Sequence, residues 1–156
     1  MEGYLLVFDD PYSITKAANI RYLVLTEGTL SLYTPPPSKA HVRSISLSQR
    51  RLQLVAMPHL HLFRLTMDGD AAPLLCLASS KAFMDLWCLH LQNWNRFCFH
   101  TPVACGVDDA ERDKLRDAWT NHLLCEEKSF VRDQLRGGVA PKPSFLQRLR
   151  SPAAWL

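Results

Sequence analysis

The chain of 156 residues is short of most things that would give it a chemistry. No apolar run approaches the ~20 residues needed to cross a bilayer, and no apolar leader core precedes the first strand-like segment. The glycine after the initiator that N-myristoylation needs is replaced by Glu2. Cysteine is present as five residues (Cys76, Cys88, Cys98, Cys105, Cys125), an odd number without framework spacing. That argues against a disulfide scaffold and for a reducing, cytoplasmic setting. Glycine is scarce, with six residues and no phosphate-cradling loop. Neither G-x-S-x-G nor H-E-x-x-H occurs, and Asp68-Gly69-Asp70 lacks an EF-hand continuation, so it reads as turn chemistry. Cys88 and His90 fall on opposite sides of a helix, and Cys98 with His100 does not match structural zinc spacing. His59 and His61 share a face only if Leu60 lies in a strand. The expectation is a protein without catalytic residues, cofactor or metal. A net charge of +3 is too small to argue for nucleic acid.

What the chain does have is ordered along its length. Residues 1–100 carry nine basic and seven acidic side chains, residues 101–136 carry six and eight, and residues 137–156 carry three bases and no acid. Glu2 to Phe8 is an apolar run closed by Asp9-Asp10-Pro11, and Ile20 to Thr26 is rich in β-formers. Glu27-Gly28 offers a tight reversal into Thr29 to Thr34, a hairpin that Pro35-Pro36-Pro37 terminates by withholding amide donors. His41 to Leu47, Arg51 to Met57 and Leu60 to Met67 follow as half-buried strands, and Pro73 to Ala78 makes the seventh.

Residues 80–97 then switch to helical period, with Phe83, Leu86, Trp87, Leu91, Trp94 and Phe97 on one stripe and Ser79 or Ser80 available as N-cap. A lone apolar helix after a run of strands needs an open end to cover. Beyond it, Asp108 and Glu111 have capping-box spacing. A second amphipathic face runs through Leu115, Trp119, Leu123, Phe130, Val131 and Leu135 to Gly137-Gly138. The division expected is 1–100 as the main domain, 101–136 as linker and amphipathic helix, and 137–156 as a flexible basic tail.

The first hundred residues resemble a pleckstrin homology (PH) domain. Glu2-Gly3-Tyr4-Leu5 is similar to that family's E-G-[WY]-L opening, Arg21-Tyr22-Leu23-Val24-Leu25 to its second strand, and Gly28-Thr29-Leu30 with Tyr33 to its third. Trp87 followed by Leu91 is similar to the W-x-x-x-[LI] of its capping helix. The resemblance implies a mainly β fold with α: a seven-stranded bent antiparallel barrel capped by a C-terminal helix, here with an extra C-terminal helix.

It also implies where a phosphoinositide headgroup would sit, with Lys16, Arg21, Lys39 and Arg43 as the candidate cations. The sequence departs from the family's lipid-binding pattern at several places. Leu6 and Val7 stand where a strand-one lysine belongs, Asn19 replaces the first base of K/R-x-R, and Leu32 stands where a tyrosine often contacts phosphate. The function expected is therefore a non-catalytic adaptor or scaffold that recruits a protein, with weak attraction to an anionic membrane surface. The alternatives are a phosphoinositide-dependent membrane-targeting domain and an enzyme with an unrecognised site. Trp119, Leu123, Phe145 and Leu149 are the candidate partner-binding residues.

Overall fold

The computed structural model describes residues 1–12, 14, 17–69, 73–97 and 101–135, with side chains to residue 125. Seven strands form one antiparallel sheet: β1 (Glu2–Phe8), β2 (Ala18–Thr26), β3 (Thr29–Tyr33), β4 (His41–Ser46), β5 (Leu52–Met57), β6 (Leu62–Met67) and β7 (Leu74–Leu77). Their order in space is β4-β3-β2-β1-β7-β6-β5. The sheet is open, with β4 and β5 as its edges, so the expected barrel is a curled sheet and not a closed ring. Two helices follow, α1 (Lys81–Gln92) and α2 (Asp109–Leu135).

Local chemistry accounts for the turns. Glu27 and Gly28 have φ of 47° and 74°, both positive as a two-residue hairpin of the I′ kind requires. A Cβ on Gly28 would also come within 2.7 Å of the Trp94 ring. Between β5 and β6, Pro58–Leu60 form a 3-10 turn, and His61 takes a left-handed conformation after it. Leu60 is thus outside any strand, and the shared-face geometry considered for His59 and His61 does not arise.

The centre of the sheet, β1 and β7 with the start of β6, is buried on both sides. On the inner side Leu5, Val7, Leu23, Leu25, Leu30 and Phe63 meet the α1 residues Met84, Trp87, Cys88 and Leu91. Trp87 is fully buried, as the capping role requires, and the Phe83 amide donates to the Ser80 hydroxyl at 3.2 Å to start the helix. The helix ends at Gln92, earlier than its apolar stripe suggests, and Trp94 packs on the core from the turn beyond it. On the outer side Tyr4, Leu6, Phe8, Leu62, Leu75 and Leu77 form a second core, which Leu115, Trp119 and Leu123 of α2 cover. This explains why all four residues of β7 and six of the seven in β1 are buried. No helix among the described residues is long and apolar enough to cross a membrane.

The connector between the helices is also tied to the sheet. The Glu2 amide donates to the Val103 carbonyl at 2.8 Å, the Cys105 amide to the Glu2 carbonyl at 2.8 Å, and the Tyr4 amide to the Gly106 carbonyl at 3.0 Å. Gly3 is needed at this seam, because a Cβ there would lie 1.7 Å from the Cys105 carbonyl oxygen.

Candidate functional site

A cleft of about 540 Å³ opens on the outer side, where β2, the β3–β4 loop and α2 meet. Its position follows from the proline run. Tyr33 is the last β3 residue paired with β2, opposite Tyr22, so the start of β2 has a strand neighbour only on the β1 side. Pro35, the next residue that would face Ile20, has no N–H to continue the ladder. The loop turns away and is braced within itself. Thr34 and Ser38 hydroxyls are 2.7 Å apart, and the Ala40 amide donates to Thr34 Oγ1 at 2.8 Å. α2 closes the other side.

Among the described residues three cations line this cleft, Arg21 from β2 with Arg112 and Arg116 from α2, and no carboxylate does. Leu6, Ile20 and Trp119 supply an apolar floor and wall, and Asn19, Thr34 and Ser38 supply polar edges. Arg112 lies over the Tyr4 ring with its guanidinium carbon 5.8 Å from the centroid, and sits 3.9 Å from Asp109. Arg116 pairs with Asp113 at 2.9 Å on the helix surface. Two buried donors here, Arg112 Nε and Trp119 Nε1, find no hydrogen-bond partner among the described residues. Buried polar atoms without partners are uncommon, and these two donors, with Arg21 and Arg116 also lining the cleft, favour an acceptor-rich occupant.

The residues nominated from sequence are distributed differently. Arg21 lines the cleft. Lys39, in the β3–β4 loop, lies outside the lining and places its ammonium 5.8 Å from the centroid of Tyr22. Burial first, then the hydrogen bond and charge of Glu2, push the Tyr22 phenol up to about 12, so that ring is neutral at physiological pH. Arg43 sits in β4 opposite Leu32. Trp119 and Leu123 are partly buried on the outer core, with Trp119 also facing the cleft. Lys16, Phe145 and Leu149 lie outside the described residues, as do Cys98 and His100.

Arg112 and Arg116 were not among the residues the sequence singled out. Their signal was present. They lie three and seven residues before Trp119, within the stripe of Leu115 and Trp119 on an otherwise amphipathic helix. A base inside an apolar stripe marks a place where the helix leaves the core and meets something charged.

The three buried thiols, Cys76, Cys88 and Cys105, are unsuited to nucleophilic work. Burial pushes Cys76 up strongly and Cys88 and Cys105 up to about 11, which keeps each protonated.

Comparison with solved structures finds a match to the solution structure of the PH domain of human pleckstrin homology domain-containing protein family A member 5. The match has 16% identity and a TM-score of 0.47, and covers 67% of this chain and 83% of that one. No family model and no curated protein matches the chain. The architecture itself, seven antiparallel strands and a tryptophan-bearing capping helix, is PH-like.

Proposed function

We propose that this protein is a non-catalytic adaptor of PH-like architecture, which recruits a partner by recognising an anionic group in the cleft between β2 and α2. The observation that carries this reading is one cleft bordered by Arg21, Arg112 and Arg116, with no carboxylate in its lining among the described residues. Charge-assisted bonds are worth about 1.5–3 kcal/mol each, so two or three arginines give useful affinity without a deep cavity. A peripheral attraction to anionic membrane follows from the same charges and is the weaker use of them.

Tripolyphosphate, a generic polyanion, tests the cleft when titrated against the full chain. The readout is the Trp119 indole N–H resonance, assigned by its disappearance in Trp119→Phe. A saturable shift that is weakened by salt and lost in Arg112→Ala/Arg116→Ala supports the reading. An unmoved resonance, or the same shift in the double variant, overturns it. Sedimentation with phosphoinositide vesicles separates the lipid alternative. Strong pelleting at moderate salt that depends on Arg21, with no shift at Trp119, would assign the protein to membrane targeting instead.

A further inference from the structure

We infer that the cleft takes a short, extended acidic peptide, which pairs its backbone with the free edge of β2 at Ala18–Arg21. The inference rests on the anion-recognising reading of the cleft and adds the chemical class of the partner.

The backbone direction is set by bonds at both ends of β2. The Leu25 amide donates to the Met1 carbonyl at 2.7 Å, and the Asp9 amide donates to the Ala17 carbonyl at 3.0 Å. Odd-numbered residues of β2 therefore point their amides and carbonyls at β1. The even-numbered residues point theirs the other way, where β3 takes up Tyr22, Val24 and Thr26. Ala18 and Ile20 extend past the end of β3, and among the described residues nothing bonds to their outward amides and carbonyls. These groups form a strand edge of four residues, roughly 13 Å long. An unpaired edge is a template for another strand unless something blunts it, and the edge residues themselves, Ala18-Asn19-Ile20-Arg21, include no lysine or proline. The braced β3–β4 loop instead leaves the cleft open beside it.

The same cleft distinguishes a peptide from a lipid headgroup. A peptide strand brings alternating N–H donors and C=O acceptors at the repeat of the outward groups of residues 18 and 20, whereas the hydroxyls and phosphates of an inositol ring do not follow that repeat. The wall of Leu6, Ile20 and Trp119 suits alternate side chains of a strand. Arg112 and Arg116 lie on the outer side, whereas Arg21 shares the inner face of Leu5, Leu23 and Leu25 and borders the cleft across the edge of β2. Cations therefore flank an added strand on both of its faces, and acidic side chains complement them. Two pairing residues on β2 allow up to four backbone bonds, enough for weak, rapidly reversible docking.

A fluorescein-labelled decapeptide of five Glu-Val repeats is the probe, measured by anisotropy against the full chain. Saturable binding is expected, with at least tenfold loss for the Lys-Val analogue and for the Arg112→Ala/Arg116→Ala protein. Two further peptides carry N-methyl groups, one at every glutamate and one at every valine. At least one of them should lose binding tenfold or more, because every second amide of an added strand faces β2. Hydrogen exchange at the Ile20 amide should slow at least tenfold on adding the unmodified peptide.

Undiminished binding of both N-methylated peptides, or unchanged exchange at Ile20, would overturn strand pairing. Failure of the peptide to bind while tripolyphosphate still shifts Trp119 would overturn it too, leaving the anion-recognising cleft in place. Pelleting with phosphatidylserine vesicles in that case would transfer the cleft to a membrane role. No response to tripolyphosphate either would remove both readings.

Discussion

Replacing Leu115 with alanine tests whether α2 is part of the folded unit. The side chain has no exposure to solvent and sits among Tyr4, Leu6, Phe8, Leu75 and Leu77 on the outer face of the sheet. Leucine-to-alanine changes at such sites cost about 2–5 kcal/mol, the transfer term plus the cavity left behind. The lower half of that range is expected here, because α2 is held at one face only and can settle toward the sheet. For a chain of this size each kcal/mol lowers Tm by roughly 2–4 °C, so Leu115→Ala should melt about 5–12 °C below the parent. Leu124, nine residues along and 45% exposed, is the control, and its alanine variant should stay within about 0.5 kcal/mol. Urea unfolding followed by circular dichroism gives both the free energy and the slope. A loss below about 1 kcal/mol for Leu115→Ala, or one equal to that of Leu124→Ala, would refute the docking of α2. A separate early transition confined to helical signal would show that the sheet persists alone with α2 detached.

Other outcomes follow from the same packing. Gly3→Ala places a methyl group on the Cys105 carbonyl and should cost at least 1–3 kcal/mol by overpacking, visible as a lowered urea midpoint; an unchanged midpoint would mean the 103–106 seam is loose in solution. Acid should destabilise the protein through two histidines. Burial lowers the pKa of His90 and of His122, and on His122 the bond to the Leu60 backbone opposes this while the charges of His61 and His59 add to it. The unfolded chain then binds protons at about pH 6.5 that the native state resists. This stability is fully present above that value and is lost as pH falls through it toward the folded values. Melting between pH 7 and pH 5 should show the decline, and His122→Gln should reduce it; an equal slope in the variant would place the sensitivity elsewhere.

Most of the sheet was legible because its turns and inward faces follow local rules. The Glu27-Gly28 reversal, the stop at Pro35 and the alternation of His41 to Leu47 each act within a few residues, and the strands lie where those signals put them. Trp87 was legible for a similar reason, since its stripe has helical period and Ser80 caps it. The outer face was harder. Tyr4-Leu5-Leu6-Val7-Phe8 and Leu74-Leu75-Cys76-Leu77 are continuous apolar runs, and in an antiparallel sheet with one face in water they should alternate. That failure of alternation announced a cover on the outer side, and α2 is the cover. Counting apolar positions located the strands but not the number of faces each had to bury.

The cleft was illegible because it exists only where three distant pieces meet. Arg21 alone is a strand residue with a cation at its tip, and Arg112 and Arg116 alone are bases on a helix whose stretch, residues 101–136, is net acidic. Only the docking of α2, driven by Leu115 and its neighbours, brings those charges beside the edge that the proline run left unpaired. The extension thus supplies the outer core its cover and the cleft two of its three arginines with one surface. That coupling separates two kinds of defect. Loss of Leu115 should weaken recognition by loosening the wall, so that binding falls together with stability, whereas loss of Arg112 and Arg116 should remove recognition from a fold that melts as before.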